Sequence, residues 1–235
     1  MNRILLLFTL TACSLMLTAC TTDKLYKTAA SKSNTLSTTQ VTLMLAEAGD
    51  PHYQYQAGLF YEAGTNGFQQ DIEQAVYWYQ AATEHKYLPA YARLGVLYEF
   101  GRGLPRDKNT AVSCYEAAAL PDLSTYADNE YYPFIKMEMV FAQQQLGRLY
   151  SSGDGIKPDY VKGYMWNKIV INHVSFTGNS DLDQSVHEFQ ELSKLFNAML
   201  DSKISAEELK QGEFFYQKYF NNHSQWHTDY TNIHN

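Results

Sequence analysis

Cysteine, proline and basic charge are all scarce in this 235-residue chain, and each scarcity excludes a class of protein. Three cysteines are too few for a disulfide scaffold. With six prolines and thirteen glycines, the chain is neither collagen-like nor wholly disordered. Acidic side chains outnumber basic ones by 25 to 18, and the formal charge of -7 leaves no basic excess for binding nucleic acid. The hydrophobic content of 45% is enough for a buried core in one or two domains.

Long apolar runs are also missing, except at the N-terminus. The segment MNRILLLFTLTACSLMLTAC has one cation, Arg3, then an apolar run from Ile4 to Leu17 and small residues before Cys20. The run is too short for a stable anchor across a hydrocarbon core of about 30 Å. The pattern predicts a secretory signal peptide over residues 1–19.

The end of this signal, Leu17-Thr18-Ala19-Cys20, resembles the lipobox of bacterial lipoproteins. The resemblance implies that the signal is cut before Cys20, whose thiol is diacylated and whose new amino group is acylated. Thr21 replaces the aspartate that retains some lipoproteins at the inner membrane, so the resemblance implies an outer-membrane location, facing the periplasm. The alternative is an ordinary signal peptide with an incidental cysteine.

A spacer is predicted to follow the lipidated cysteine, over residues 20–39. From Thr21 to Thr39, nine of nineteen residues are serine or threonine, and three are lysine. This composition is typical of a flexible linker that holds a domain away from a membrane. Helical periodicity begins near Gln40.

Three segments of the chain can be aligned with one another, starting at Tyr53, Ala90 and Ala142. The first two copies are 36 to 37 residues apart, and the third follows after 52, which implies an insertion of about sixteen residues. The shared positions are a glycine in the first helix (Gly58, Gly95, Gly147), a tyrosine (Tyr61, Tyr98, Tyr150), a loop glycine (Gly64, Gly101, Gly153) and an aspartate (Asp71, Asp107, Asp159).

Each shared residue has a physical explanation. A mid-helix glycine costs about 1 kcal/mol against alanine, so it indicates close approach of a neighbouring helix. The loop glycine can adopt the positive φ that ends a helix. The aspartate caps a second helix, and Asp71 with Gln74 has capping-box spacing. The buried stripe of this second helix is predicted to be Ala75, Trp78, Tyr79 and Ala82. One helix pair cannot bury its own face, so the copies must stack.

The pattern AxxxLGxLYxxGxGxxxDxxxAxxWYxxAA resembles the Sel-one-like repeat, an α/α relative of the tetratricopeptide repeat. The resemblance covers about Val41 to Val170, with Ala57 for leucine in the first copy, Cys114 for tryptophan in the second and Gly163 for alanine in the third. It implies an all-α fold, an α/α solenoid of about three helix-pair repeats over residues 40–170. The segment LMLAEAGDP resembles the last helix of a missing earlier copy, and so an N-terminal cap.

The tail is predicted to close the solenoid with capping helices over residues 171–222, before a disordered tail over 223–235. Residues 172–183 are expected to form a loop, and two helical runs follow between Gln184 and Phe220. The segment SAEELKQGEFFYQKYF resembles the closing helix of this family, with Ser205 as N-cap and Glu208 completing a capping box. The side chains expected to shield the last repeat are Leu209, Phe215, Tyr216 and Tyr219.

Catalytic and metal-binding patterns give no positive argument, so the chain is not predicted to be an enzyme, and no cofactor is expected. His223 and His227 have zinc-like spacing, but they lie in a terminal segment of poor helix formers, so no metal site is predicted. Cys114 is expected to be buried as a small apolar residue. Some secreted members of the family have been described as β-lactamases or penicillin binders, but no serine here is followed three residues later by lysine.

The surface of the first helices remains as the candidate site. Opposite the core stripe, each copy has three positions that vary between the copies, nine residues in all. In solenoids of this kind the first helix lines the concave face. We expect these residues to form a groove for a peptide or protein segment; the alternative is that they are merely the solvated side. The predicted partner-binding residues are Gln56, Glu62, Arg93, Glu99, Gln145 and Arg148; the other three positions are Leu59, Val96 and Ser151.

The function hypothesis combines these features. We expect an outer-membrane-anchored lipoprotein, bound to the membrane by the lipid on Cys20, that acts as a scaffold for an envelope or host protein and not for nucleic acid. Arg93 and Arg148 are the expected anchors, since arginine can bind carboxylates with two hydrogen bonds. The insertion from Leu120 to Met139 is a second candidate interface. The alternative function is a β-lactamase-like or cell-wall-hydrolysing enzyme on the same fold.

Overall fold

The structure is a computed structural model that describes residues 37–119, 131–172 and 180–221. These ranges contain nine α-helices and no β-strand, which confirms the predicted all-α class. The helices are α1 (Thr38–Glu47), α2 (Pro51–Ala63), α3 (Ile72–Glu84), α4 (Leu88–Phe100), α5 (Lys108–Ala119), α6 (Tyr132–Ser152), α7 (Tyr160–Ile171), α8 (Ser180–Leu200) and α9 (Ala206–Asn221).

The chain divides into two compact units, one up to Ala90 and the other from Tyr91 onward. In the first unit α1 packs on α2 and α2 packs on α3. In the second unit α5 packs on α6, α6 on α7, α8 on both α6 and α7, and α9 on α7. These antiparallel neighbours are the helix pairs of an α/α solenoid, as the aligned segments predict.

Aspartates cap the second helix of each repeat, as predicted from their position. Asp71 accepts a hydrogen bond from the backbone N–H of Gln74 at 3.0 Å, and Asp159 accepts one from Lys162 at 3.0 Å. Asp107 accepts from the N–H groups of Asn109 and Thr110, at 3.0 and 3.2 Å. Each cap satisfies helix N–H groups that would otherwise have no intrahelical partner.

The first helices of the repeats end at the loop glycines, again as predicted. Gly64 has φ 66° and donates its N–H to the Phe60 carbonyl at 2.8 Å, and Gly153 has φ 67° with the same bond to Leu149. A side chain with Cβ is strained at such a φ, which explains the residue type.

Helix α1 begins earlier than the sequence predicts. It starts at Thr38, and Ser37 forms a capping box with Gln40: the serine hydroxyl accepts the Gln40 N–H, and the Gln40 side chain accepts the Ser37 N–H at 2.9 Å. The predicted boundary of the spacer at residue 39 is therefore wrong, because local capping chemistry starts the helix inside the serine- and threonine-rich stretch.

The insertion before the third repeat is partly helical. Helix α6 has 21 residues, whereas α2 and α4 have 13 each, and the added turns come from the segment that starts at Tyr132. Within these turns Ile135 and Met139 are buried. The insertion therefore lengthens the first helix of the third repeat; its residues 120–130 lie outside the described ranges.

The C-terminal helices agree with the sequence in part. The box at Ser205 is confirmed: its hydroxyl accepts the Glu208 N–H at 3.3 Å and its own N–H donates to the Glu208 carboxylate at 2.8 Å. Tyr219 is buried in the core, with Phe215 and Tyr216 packed against it. Leu209 does not shield the last repeat, because it is exposed.

Two other expectations need correction or lie outside the described residues. The loop expected over residues 172–183 is wrong for residues 180–183, because α8 already begins at Ser180. Helix α8 therefore includes residues 180–183, although the polar composition of that segment does not predict a helix. Residues 1–36, with Cys20, and residues 222–235, with His223 and His227, are outside the structure described.

Candidate functional site

In the first two repeats the mid-helix glycine faces a tyrosine from the second helix of the same repeat. A Cβ placed on Gly58 would lie 2.4 Å from Cε1 of Tyr79, and one on Gly95 would lie 2.6 Å from Cε1 of Tyr115. Both tyrosine side chains are fully buried. The ring edge thus occupies the volume of the missing side chain, and the glycine's cost in helix propensity is offset by this close packing.

The buried tyrosine hydroxyls are satisfied by glutamates that lie one helical turn after each glycine. Tyr79 donates to Oε2 of Glu62 at 2.8 Å, and Tyr115 donates to Oε2 of Glu99 at 2.9 Å. Hydrogen bonds to a carboxylate contribute about 1.5–3 kcal/mol, more than neutral ones. Glycine, glutamate and tyrosine therefore form one packing unit in each of the first two repeats.

The third repeat replaces both polar members of this unit. Asn167 takes the place of the tyrosine and Ser151 that of the glutamate, and Nδ2 of Asn167 donates to Oγ of Ser151 at 3.0 Å. A Cβ on Gly147 would lie 2.2 Å from Oδ1 of Asn167, so the glycine keeps its role. The third repeat thus has the same contact built from smaller side chains.

A second glycine brings the helices of the third repeat closer together. A Cβ on Gly163 would lie 2.6 Å from Oγ and 2.9 Å from the backbone N of Ser151. The first two repeats have alanine at this position, Ala75 and Ala111. The departure from the repeat pattern at Gly163 is therefore explained by the close approach of α7 to the backbone of α6.

These contacts correct the predicted exposure of several candidate residues. Glu99 is 1% exposed and Ser151 is 2% exposed, so neither lies on a solvated side of its helix. Glu62 is partly buried under Tyr79. The expectation was wrong because the residue four positions after the packing glycine lies on the same face as that glycine. The signal that sequence reasoning missed is the joint change from glutamate and tyrosine to serine and asparagine.

Arg148 belongs to an ion-pair network within the second unit. Its guanidinium pairs with the buried carboxylate of Glu99, donates from Nε to Oε1 of Gln145 at 2.9 Å, and lies 3.9 Å from Oδ2 of Asp154. Asp154 in turn pairs with the buried Lys108 Nζ at 2.6 Å. The network connects α4, the start of α5, α6 and the loop after α6.

The network also shifts the proton affinities of its members. Burial, and then the neighbouring Glu99 carboxylate, raises the pKa of the Tyr115 phenol well above its ordinary value. The hydrogen bond and positive charge of Lys108 hold the pKa of the Asp154 carboxyl below its usual value. At neutral pH Tyr115 therefore remains a hydrogen-bond donor and Asp154 remains charged.

The position two residues before each packing glycine stays partly accessible, and we call it the variable position. Its occupants are Gln56 in the first unit and Arg93 and Gln145 in the second. The Arg93 side chain is 37% exposed, and its guanidinium is 4.0 Å from Oε1 of the buried Glu138. Nε2 of Gln56 is 2.6 Å from Nε2 of His52 on the same helix.

The described ranges also bear on metal binding, on membrane insertion and on the state of the Cys114 thiol. They contain no group of three or more histidine, cysteine, aspartate or glutamate residues placed to hold a metal ion. None of their helices is both long enough and apolar enough to span a membrane. Cys114 is partly buried, as expected for a structural cysteine, and this burial raises the pKa of its thiol to about 11.

Helix pairs that repeat the same glycine-centred contact define an α/α repeat protein. A family model described as Sel1 repeat matches residues 51–87, 88–120 and 140–166. The three matched segments lie on the three helix pairs described above, so each pair corresponds to one match to the Sel1 repeat.

Two solved structures illustrate the similarity. The chain is 25% identical to a Sel1 repeat protein from Oxalobacter formigenes, with a TM-score of 0.43, over 63% of this chain and 95% of that one. It is 22% identical to a protective antigen present in uropathogenic Escherichia coli strains that displays an SLR fold, with a TM-score of 0.33. That match covers 78% of this chain and 40% of the antigen.

Proposed function

We propose that this protein is an outer-membrane lipoprotein that recruits a protein partner of the cell envelope, or of a host, through the first helices of its repeats. The observation that carries the proposal is the contrast between two positions on those helices. The position four residues after the glycine is used internally for packing, whereas the variable position is glutamine in the first and third repeats, arginine in the second, and partly accessible in all three. Sequence variation that packing does not require is available for recognition.

Within the second unit, Arg93 is a better candidate anchor than Arg148. Arg148 is 23% exposed and is held by the Glu99 carboxylate, so removing it leaves a buried charge without its partner. Arg93 is more exposed, with 37% of its side chain accessible. Arginine at such a position can form paired hydrogen bonds to carboxylates of an extended acidic segment.

The test compares Arg93→Ala with Arg148→Ala and with Arg102→Ala, an exposed loop arginine that serves as the matched control. Partners are recovered by crosslinking pull-down from intact envelopes, and each variant's thermal melting is measured. Arg93→Ala should lower partner recovery while its stability changes by no more than about 0.5 kcal/mol. Arg148→Ala should destabilise the fold by about 1–2 kcal/mol, a value discounted for its partial exposure. Wild-type recovery by Arg93→Ala would exclude this surface.

The membrane anchor is tested separately. Because the proposed lipid is attached to the Cys20 thiol, Cys20→Ala should leave the protein soluble or unprocessed, and Cys114→Ala should not. Fractionation and detergent extraction measure the distribution. Equal membrane partition of Cys20→Ala and wild type would show that the lipobox interpretation is wrong.

A further inference from the structure

The variable position is a glutamine in both the first and the third repeat, but the two amides have different partners. In the second unit, Oε1 of Gln145 accepts a hydrogen bond from Nε of Arg148 at 2.9 Å. An arginine stays charged at every physiological pH, so this bond keeps the Gln145 amide in one orientation. In the first unit, the corresponding Gln56 faces a histidine, a residue type whose charge depends on pH.

His52 lies in the first turn of α2 and has a polar neighbour at each ring nitrogen. Its Nδ1 is 3.0 Å from the Tyr87 hydroxyl, and its Nε2 is 2.6 Å from Nε2 of Gln56, one helical turn further on. Tyr87 is buried, and its ring packs on Tyr55 with the ring centroids 5.6 Å apart. The three side chains therefore connect the core of the first unit to its variable position.

The Gln56 amide presents its nitrogen to the ring, and this orientation determines the tautomer of neutral His52. An amide NH₂ group only donates, so Nε2 of His52 must be the acceptor and the ring proton must lie on Nδ1. The Nδ1–H group then donates to the Tyr87 oxygen. In this neutral state the oxygen of the Gln56 amide is the end directed away from His52.

Protonation of His52 is incompatible with this orientation of the amide. An imidazolium ring donates from both nitrogens, so a ring N–H would face the NH₂ group of Gln56, donor against donor. Rotating the ring by a half turn does not help, because either nitrogen then carries a proton. Rotating the amide does help, because its two ends are similar in size and its terminal torsion is roughly two-fold. Tyr87 accepts the Nδ1–H bond in both states.

We propose that His52 is a proton-controlled switch that sets which end of the Gln56 amide the first repeat presents at the variable position. With neutral His52, the amide presents its oxygen and fits a hydrogen-bond donor of a partner, such as a backbone N–H. With protonated His52, it presents its NH₂ group and fits a carbonyl or carboxylate oxygen. The reversal of the amide is independent of any partner, whereas its use in recognition rests on the proposed function.

The residues at the position of His52 confine the switch to the first repeat. Counted back six residues from the packing glycine, the position holds His52 in the first repeat, Pro89 in the second and Phe141 in the third. Neither proline nor phenylalanine has a side chain that titrates. The first repeat is therefore expected to respond to pH at its variable position while the other two do not.

Other ionisable groups lie near His52 and have to be separated from it. Asp50 caps α2 and accepts the N–H groups of His52 and Tyr53 at 2.9 and 3.2 Å. The turn that contains Tyr87 also contains the exposed residues Glu84, His85 and Lys86. Histidine is the one side-chain type among these that ordinarily changes charge between about pH 5 and 8, so His85 is the group to control for.

Nuclear magnetic resonance of the full chain in detergent, with ¹⁵N in glutamine and histidine side chains, tests the reversal. The Gln56 NH₂ signals should move between about pH 5 and 8 with the same midpoint as the His52 ring nitrogens. The Gln145 signals should stay in place. The variants Gln56→Met and His52→Gln assign the signals, and a His85→Gln background removes the other histidine of this region.

The same spectra can contradict the switch in three ways. Gln56 signals that do not follow the protonation of His52 would overturn it. So would a neutral His52 ring with its proton on Nε2, because Gln56 would then accept in both charge states. A His52 ring that does not titrate between about pH 5 and 8 would also overturn it.

A second variant tests the part played by Tyr87. Tyr87→Phe removes the acceptor of the Nδ1 proton and keeps the ring that packs on Tyr55. A neutral His52 can then carry its proton on Nε2 and donate to Oε1 of Gln56, as the charged ring does. The pH response of the Gln56 signals should therefore be largely lost, and an undiminished response would overturn the proposed role of Tyr87 in the switch.

Use of the switch in recognition is measured by partner recovery from envelopes at about pH 5.5 and 7.5. Wild-type recovery should differ about fivefold between the two conditions, the change expected from one hydrogen bond. In His52→Gln this ratio should fall toward one, and an unchanged ratio would overturn the use of His52 in recognition. Wild-type recovery by Arg93→Ala would instead count against the proposed function and would leave the amide result standing.

Discussion

The second and third repeats solve one packing problem with different side chains. In the second, the Tyr115 ring fills the space beside Gly95 and donates to Glu99. In the third, Asn167 and Ser151 make a smaller contact beside Gly147, and Gly163 lets the helices approach more closely. The comparison shows that each repeat preserves the steric fit between its helices, and that residue types change together to do so.

The largest expected effect comes from filling the space beside a packing glycine. Gly95→Leu forces the Tyr115 ring away from α4 and breaks its hydrogen bond to Glu99, so we expect a loss of about 3 kcal/mol or more in the free energy of unfolding. Urea unfolding followed by circular dichroism measures it. The control Val96→Leu, at the adjacent half-buried position, should change stability by less than about 1 kcal/mol. Equal effects of the two variants would mean that α4 and α5 do not meet at Gly95.

An intermediate effect on stability is expected when Gly163 of the third repeat is replaced by alanine, the residue that the first two repeats have at this position. Gly163→Ala improves helix propensity by about 1 kcal/mol, but its Cβ would lie 2.9 Å from the Ser151 backbone N. We expect a net destabilisation of about 1–2 kcal/mol, since backbone cannot move aside as a flexible side chain can.

Two further variants sharpen this test by thermal melting. Ser151→Ala should not rescue Gly163→Ala, because the backbone contact remains. In the second repeat the reciprocal change, Ala111→Gly, should also destabilise, through helix propensity and a lost buried methyl group. A stabilised Gly163→Ala variant would show that the third pair is no closer than the others.

The smallest effect concerns acid sensitivity of the pair between Lys108 and Asp154. Because the folded-state pKa of Asp154 is lowered, its carboxylate stabilises the fold above the unfolded value of about 4, and this contribution is lost as pH falls through the folded pKa. Wild type should therefore melt above Asp154→Asn at pH 7, and the difference should shrink below about pH 4 and in high salt. A difference that stays constant with pH would mean that the charge of Asp154 has no role.

The candidate site was less predictable than the fold, and the residues show why. Capping aspartates, loop glycines and packing glycines act through local backbone requirements, so their positions in the sequence are enough to identify them. Glu99 and Ser151 appeared to be variable surface positions because three copies offered too few examples to recognise the change that couples them to Tyr115 and Asn167. Arg148 appeared available because its ion pair with Glu99 joins residues 49 positions apart.

The helix pairs, their caps, their repeat and the class of fold can be predicted from the amino-acid sequence, since each follows from periodicity and backbone conformation within about forty residues. Tertiary packing sets which partly polar positions are buried, how close the third helix pair lies, and that α8 exposes Leu192, Leu195 and Met199. These features depend on packing between side chains that are distant in the sequence. Helical periodicity does not predict them, because it is the same whichever face of a helix its neighbours cover.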